Sequence, residues 1–166
     1  GDPILWWSPN PRLVLKPSEF KLRKSLAKAM RKQKFEIRIN TAFNTLVDLC
    51  ASVRQHTGTW ITADMKRAYG EMYARGRAIS VETFQENRLV GGLYGIKLGR
   101  IFFGESMVSM VSDASKAALA FLCARDNPCQ IILIDCQVST SHLESLGASL
   151  MPREKFIEIL NQHCHE

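Results

Sequence analysis

From residue 78 to residue 107 apolar and polar positions alternate with a period of two, and on either side the period lengthens to that of a helix. Ala78 to Phe84 and Leu89 to Lys97 flank Gln85-Glu86-Asn87-Arg88, which predicts an antiparallel hairpin, and Arg100 to Met107 follows Leu98-Gly99 as a third antiparallel strand. Upstream, Leu13 to Leu15 reads as a short strand, residues 23 to 34 as a helix with Leu26 and Met30 on one face, and Phe35 to Ile39 as a strand. Ala42 to Val53 spaces Phe43, Leu46, Val47 and Cys50 as a helix does. Thr62 is a predicted N-cap for a helix from Ala63 to about Arg75, which Gly76 ends. Downstream, Ser112 or Asp113 caps a helix to about Arg125, Gln130 to Val138 reads as a buried strand, and Ser141 to Leu146 as a short helix. Pro152 at the first helical position opens a last helix through His163.

That order is the order of a GNAT-like acyltransferase core, so the predicted class is α+β, with a mixed, mostly antiparallel sheet and helices on both faces. Residues 1–22 read as an extended, proline-rich lead-in without a core of its own, and residues 23–166 as one GNAT-like catalytic domain. A fold does not by itself give a function. Acetyl transfer from CoA would call for a glycine-rich turn to hold the pyrophosphate before the helix that follows the third strand, yet Ser106 to Lys116 contains no glycine, which disfavours a CoA enzyme.

The charge is unevenly placed. Residues 1–38 hold ten Lys or Arg against three acids, a net of +7, so they account for more than the whole chain's +6. Lys21, Arg23, Lys24, Lys28, Arg31 and Lys32 follow one another with no acid among them, and such a segment on an otherwise neutral domain points to a polyanion, most often nucleic acid; a solvated helix face is the alternative. The five cysteines form no CxxC pair, which suits reduced thiols and a cytoplasmic location. His163-Cys164-His165 lacks a fourth ligand, so no metal and no cofactor is expected. No apolar run reaches the roughly 18–20 residues that cross a bilayer, and no membrane partner is expected.

Two apolar runs, Ile101 to Ser109 and Leu133 to Gln137, carry Glu105 and Asp135 where a plain core strand would carry Val or Leu. An acid in such a run is costly unless it is paired or faces a cleft, so both are candidate site residues. Asp135 and Gln137, two apart, would lie on one side of a strand and could act on one substrate group; helix capping is the other reading of Asp135, and a structural ion pair that of Glu105. Leu93, Phe102, Met107, Ser109, Leu119, Leu122 and Ile134 could line an apolar pocket, although periodicity alone makes most of them core. Gly91-Gly92 within a strand leaves room for close approach or marks a bulge.

The blocks Trp6-Trp7-Ser8-Pro9-Asn10-Pro11-Arg12, Gly58-Thr59-Trp60-Ile61-Thr62, Leu89-Val90-Gly91-Gly92-Leu93-Tyr94-Gly95, Gly104-Glu105-Ser106-Met107, Asp113-Ala114-Ser115-Lys116 and Leu133-Ile134-Asp135-Cys136-Gln137-Val138 resemble, in order and spacing, those of the leucyl/phenylalanyl-tRNA-protein transferases. The resemblance implies transfer of Leu or Phe, with Met as a further donor, from aminoacyl-tRNA to the α-amine of proteins beginning with Arg or Lys, marking them for degradation by the N-end rule. It implies that Asp135 and Gln137 form the catalytic pair and that Glu105 binds the acceptor's basic residue. Trp60 would stack on the terminal adenine, and the apolar residues above would hold the aminoacyl side chain. The basic segment would meet the tRNA backbone. It also implies further chain beyond both ends, so that residues 1–22 are the remnant of a longer N-terminal segment. A monomer is expected, and a non-catalytic RNA-binding module using the basic helix is the competing function.

Overall fold

A computed structural model describes residues 3, 5–137 and 139–166; Val138, read as the end of a strand, and Gly1, Asp2 and Ile4 lie outside the described residues. The order is β1 (Arg12–Leu15), α1 (Lys24–Lys32), β2 (Glu36–Ile39), α2 (Phe43–Val53), α3 (Ala63–Ala74), β3 (Ala78–Gln85), β4 (Arg88–Leu98), β5 (Ile101–Ser109), α4 (Ala114–Cys123), β6 (Leu133–Gln137), α5 (Ser141–Ser145), β7 (Ser149–Met151) and α6 (Arg153–His163), with a 3-10 turn over Pro17–Glu19. The strands form one sheet in the order β2-β3-β4-β5-β6-β1-β7, antiparallel throughout except for the β5–β6 pair. The mixed, mostly antiparallel α+β class read from the sequence is borne out.

Alternating residues put two cores on the two faces. Leu93 of β4, Phe102 of β5 and Ile134 of β6 pack with Ala118, Leu119 and Leu122 of α4, and Leu26 of α1 and Leu143 of α5 lie against the same core. On the other face Phe43, Leu46 and Cys50 of α2 and Tyr69 of α3 meet Tyr94 and Val108, while Phe156 of α6 packs on Val14, Ile101 and Leu133. β1 sits between β6 and β7, and its Leu13, Val14 and Leu15 are buried.

Local chemistry sets the element ends. Thr62 accepts from Met65 N at 3.3 Å and starts α3. The β3–β4 turn uses Glu86 and Asn87 at φ 50° and 60°, as a two-residue hairpin of this twist requires. Other ends differ from the sequence reading. Gln130, at φ 51°, is still part of a turn, so β6 starts only at Leu133. Pro152 has an extended ψ of 138° and stands just before α6, whose first amide, Arg153 N, is taken by Asn10 Oδ1 at 3.1 Å. Neither side chain predicted to cap α4 makes a capping bond: Asp113 adopts φ 69°, and the hydroxyl of Ser109 accepts from Ser115 N at 2.8 Å instead. β7 has only three residues, too few for a period to register. Gly91 meets both readings of its position: a Cβ there would stand 2.5 Å from Val108 O and 2.7 Å from the Ala114 side chain, and the register with β3 shifts beside it, Gly91 facing Thr83 while Leu89 faces Phe84.

Candidate active site

The parallel pairing of β5 with β6 runs through Ile101↔Leu133, Phe102↔Ile134 and Phe103↔Asp135 and then stops. Both strands change register there. Tyr94 faces Ser106 while Gly95 faces Gly104, leaving Glu105 as the extra residue on β5, and Leu13 faces Gln137 while Val14 faces Asp135, leaving Cys136 extra on β6. Bulges re-aim side chains and end ladders. The residues just past the last pair, Gly104 to Met107 on one side and Cys136 and Gln137 on the other, line a cleft of about 380 Å³.

One part of its wall is apolar, from Leu93, Phe102, Met107, Leu119 and Ile134, which come from three strands and α4. Glu105, Asp135, Gln137 and Trp60 line it too, so these separated residues meet at one place. Ser109 and Leu122 do not line it: the first is bonded to Ser115 at the start of α4, and the second is wholly buried in the core. Trp60 keeps 46% of its surface exposed and meets Tyr69 edge-on, with ring centres 6.2 Å apart. An aromatic side chain that lines a cleft and stays this exposed is open to a ligand.

The two acids are held differently. Asp135 is fully buried and its carboxylate is engaged on both oxygens: Arg12 donates from Nε to Oδ1 at 3.0 Å and from Nη2 to Oδ2 at 2.8 Å, and Gln137 N donates to Oδ1 at 3.0 Å. Arg12 in turn lies over the Phe156 ring, 4.6 Å from its centre. A bidentate pair of this kind fixes both planes. Among the described residues Glu105 has one donor, the hydroxyl of Tyr69 at 2.7 Å. Burial pushes its carboxyl above the ordinary range, the Tyr69 bond opposes that, and the negative charge of Asp135 adds to the rise. Gln137, at φ 66°, donates from Nε2 to Gly104 O at 3.1 Å, across the gap between the strands.

Arg12 and Arg54 escaped the sequence reading. Arg12 is 123 residues from its partner, so no local pattern could pair them. Arg54 follows α2 and reaches the cleft, donating to the Ser106 hydroxyl and, at 3.3 Å, to Met107 O. The nearby thiols are poor nucleophiles: burial pushes Cys136 up to about 12, with Asp135 adding to the shift, and pushes Cys50 up to about 11. A thiol held in its neutral form is a weak nucleophile.

On α1 and the segment before it, Lys21, Arg23, Lys24, Lys28, Arg31 and Lys32 are all exposed, and among the described residues none of them makes an ion pair. Among the described residues no group of three or more His, Cys, Asp or Glu could hold a metal, and no helix is long and apolar enough to cross a membrane.

A family model described as leucyl/phenylalanyl-tRNA protein transferase matches residues 14–161. Two relatives so named are each 48% identical to this chain. The one from Hydrogenovibrio crunogenus aligns over 99% of the chain and 65% of its own length, and the one from Pseudomonas paraeruginosa over 100% and 74%. The chain thus spans between about two thirds and three quarters of these relatives. Among solved structures, a conserved protein of unknown function from Bacteroides thetaiotaomicron aligns with a TM-score of 0.55 over 82% of this chain and 53% of its own, at 13% identity, a likeness of fold alone.

Proposed function

The chain belongs to the leucyl/phenylalanyl-tRNA protein transferase family, and from that premise we propose that it moves Leu or Phe, with Met as a further donor, from aminoacyl-tRNA to the α-amine of proteins beginning with Arg or Lys. The products are marked for degradation by the N-end rule. The observation that carries this reading is the cleft itself, an apolar wall facing an under-satisfied glutamate, with an exposed tryptophan at the rim.

The reaction is aminolysis of an ester. The amine nitrogen attacks the acyl carbon, the N–C bond forms as the C–O bond to the ribose breaks, and the ribose oxygen leaves with a proton given up by the amine. Leu93, Phe102, Met107, Leu119 and Ile134 take the apolar side chain of the donor, and the thioether of Met107 adapts to two shapes. Trp60 stacks on the terminal adenine. Glu105 pairs with the cation of the acceptor's first residue, which offsets the cost of ionising a half-buried acid. Gln137 spends its side-chain nitrogen on Gly104, which leaves its oxygen to orient the incoming amine. Asp135, its oxygens taken by Arg12 and Gln137 N, acts as a positioning residue for the bulge that carries Gln137 rather than as a free base. The exposed cations of α1 meet the tRNA backbone, and no cofactor enters the reaction. The protein works as a monomer in the cytoplasm.

The test is transfer of isotopically labelled Phe from charged tRNA to a peptide beginning with Arg. Label should reach that peptide and not one beginning with Glu. Retained tRNA binding with no label transferred would favour a non-catalytic RNA-binding module.

A further inference from the structure

Arg54 differs from Arg12 and Arg38, two arginines anchored on strands of the sheet. Arg12 is bidentate to Asp135, and Arg38 is paired with Glu36 and lies 4.0 Å over the ring of Phe84. Arg54 lines the cleft, but its two bonds go to uncharged oxygens, the Ser106 hydroxyl and Met107 O. Among the described residues no carboxylate pairs with it, and the two acids of the same cleft take their bonds elsewhere, Glu105 from Tyr69 and Asp135 from Arg12 and Gln137 N. Those two bonds use only part of the guanidinium's donor fork and hold its plane in a set direction, so the remaining N–H groups are available. A half-buried cation beside an apolar wall, fixed and without a counter-ion, fits an anionic ligand. It shares the cleft with Trp60, the side chain offered to a purine, so the anion nearest to hand is a phosphate attached to that purine's nucleoside.

We propose that Arg54 is a phosphodiester-binding residue, taking the phosphate that joins the terminal adenosine of the donor RNA to the rest of its strand. This rests on the reading of the cleft as an aminoacyl-adenosine site, and it adds a contact that the aminoacyl pocket and the α1 cations do not supply. The phosphate would fix where the strand turns into the cleft, while its distance from the ester keeps it out of the chemistry. The competing role for Arg54 is a local one, complementing the dipole at the end of α2, where its own N bonds Ala51 O.

The experiment uses two stable analogues in which an amide replaces the ester, 3′-phenylalanylamido-3′-deoxyadenosine with and without a 5′-phosphate methyl ester. Calorimetry reads the ratio of their affinities in wild type, Arg54→Gln and Arg54→Lys, with thermal melts on each. In wild type the phosphate should raise affinity by about tenfold at low salt, as one charge-assisted contact allows. That gain should vanish in Arg54→Gln and persist in part in Arg54→Lys. An equal gain in wild type and Arg54→Gln, or no gain in wild type that binds the phosphate-free analogue, overturns the assignment of Arg54 alone. Failure of wild type to bind either analogue overturns the reading of the cleft, and this assignment with it.

Discussion

Glu82 and Glu105 stand on strands of one sheet and share a residue type, yet the start of α2 and the cleft treat them in opposite ways. Glu82 is wholly buried and accepts from Ala42 N at 2.8 Å, Thr41 N at 3.2 Å, the Thr41 hydroxyl at 3.3 Å and the Ser80 hydroxyl at 2.6 Å. It stands in for the cap that Ala42 lacks, and its charge faces the positive end of α2. Glu105 has, among the described residues, the single Tyr69 bond, with a like charge nearby and an opening in front of it. A carboxylate with its acceptor positions filled has nothing left to offer a ligand, whereas one left short of donors in a cleft gains from any cation that arrives. Asp135 joins the first kind by its bonds and the second by its location, which is why it is assigned a positioning role.

The largest effect should follow from breaking that third carboxylate. Asp135→Asn removes one side of a buried bidentate pair, and transfer should fall by roughly 10² to 10⁴ while charged-tRNA affinity changes little. The loss should exceed that of a folded Arg12→Lys variant, which keeps the charge but not the fork. Transfer at the wild-type rate in Asp135→Asn would remove Asp135 from the account.

Next comes the contrast itself. Glu82→Ala strands the amides at the start of α2 and should cost about 2–4 kcal/mol in denaturant unfolding. Glu105→Gln should be close to neutral at low pH. Because burial raises the carboxyl of Glu105, the folded chain holds that proton more tightly than the unfolded chain, so stability is full below the ordinary carboxylate range and declines as pH rises through the raised value. The Gln variant lacks this decline and should gain on wild type across the same interval. A pH-independent difference between the two would mean that Glu105 is as well satisfied as Glu82.

The smallest effect should come from the surface. Neutralising Lys28, Arg31 and Lys32 together leaves the fold unchanged, since all three are exposed and unpaired among the described residues. It should flatten the slope of log K against log salt for tRNA by roughly two to three units, one counterion per phosphate contact. A slope that does not move would make α1 an idle solvated face.

How far these features were visible in the sequence depends on the range of the interaction that makes them. Periodicity and the Thr62 cap located α3 because both signals lie within a few residues. Glu105 and Asp135 stood out as acids in apolar runs, and the structure brings both to one cleft. The bulges that aim them left no local mark, since a register change is a property of two strands and a sequence shows one at a time. For the same reason the cap of α2 was not foreseen, its acceptor lying about forty residues away on β3. Leu122 has the composition of a pocket residue and the burial of a core one, and only packing separates the two.

The central claim is that Glu105 is held under-satisfied so that a basic residue can complete it, and its titration tests this most directly. The side-chain carboxyl of Glu105 can be followed by carbon-13 NMR in the free chain and with a saturating peptide beginning with Arg, a peptide beginning with Ala serving as control. The free carboxyl should titrate above the ordinary carboxylate range, drop when the Arg peptide binds, and stay where it was with the Ala peptide. A carboxyl that titrates normally in the free chain, or that ignores the Arg peptide while it binds, would contradict the account.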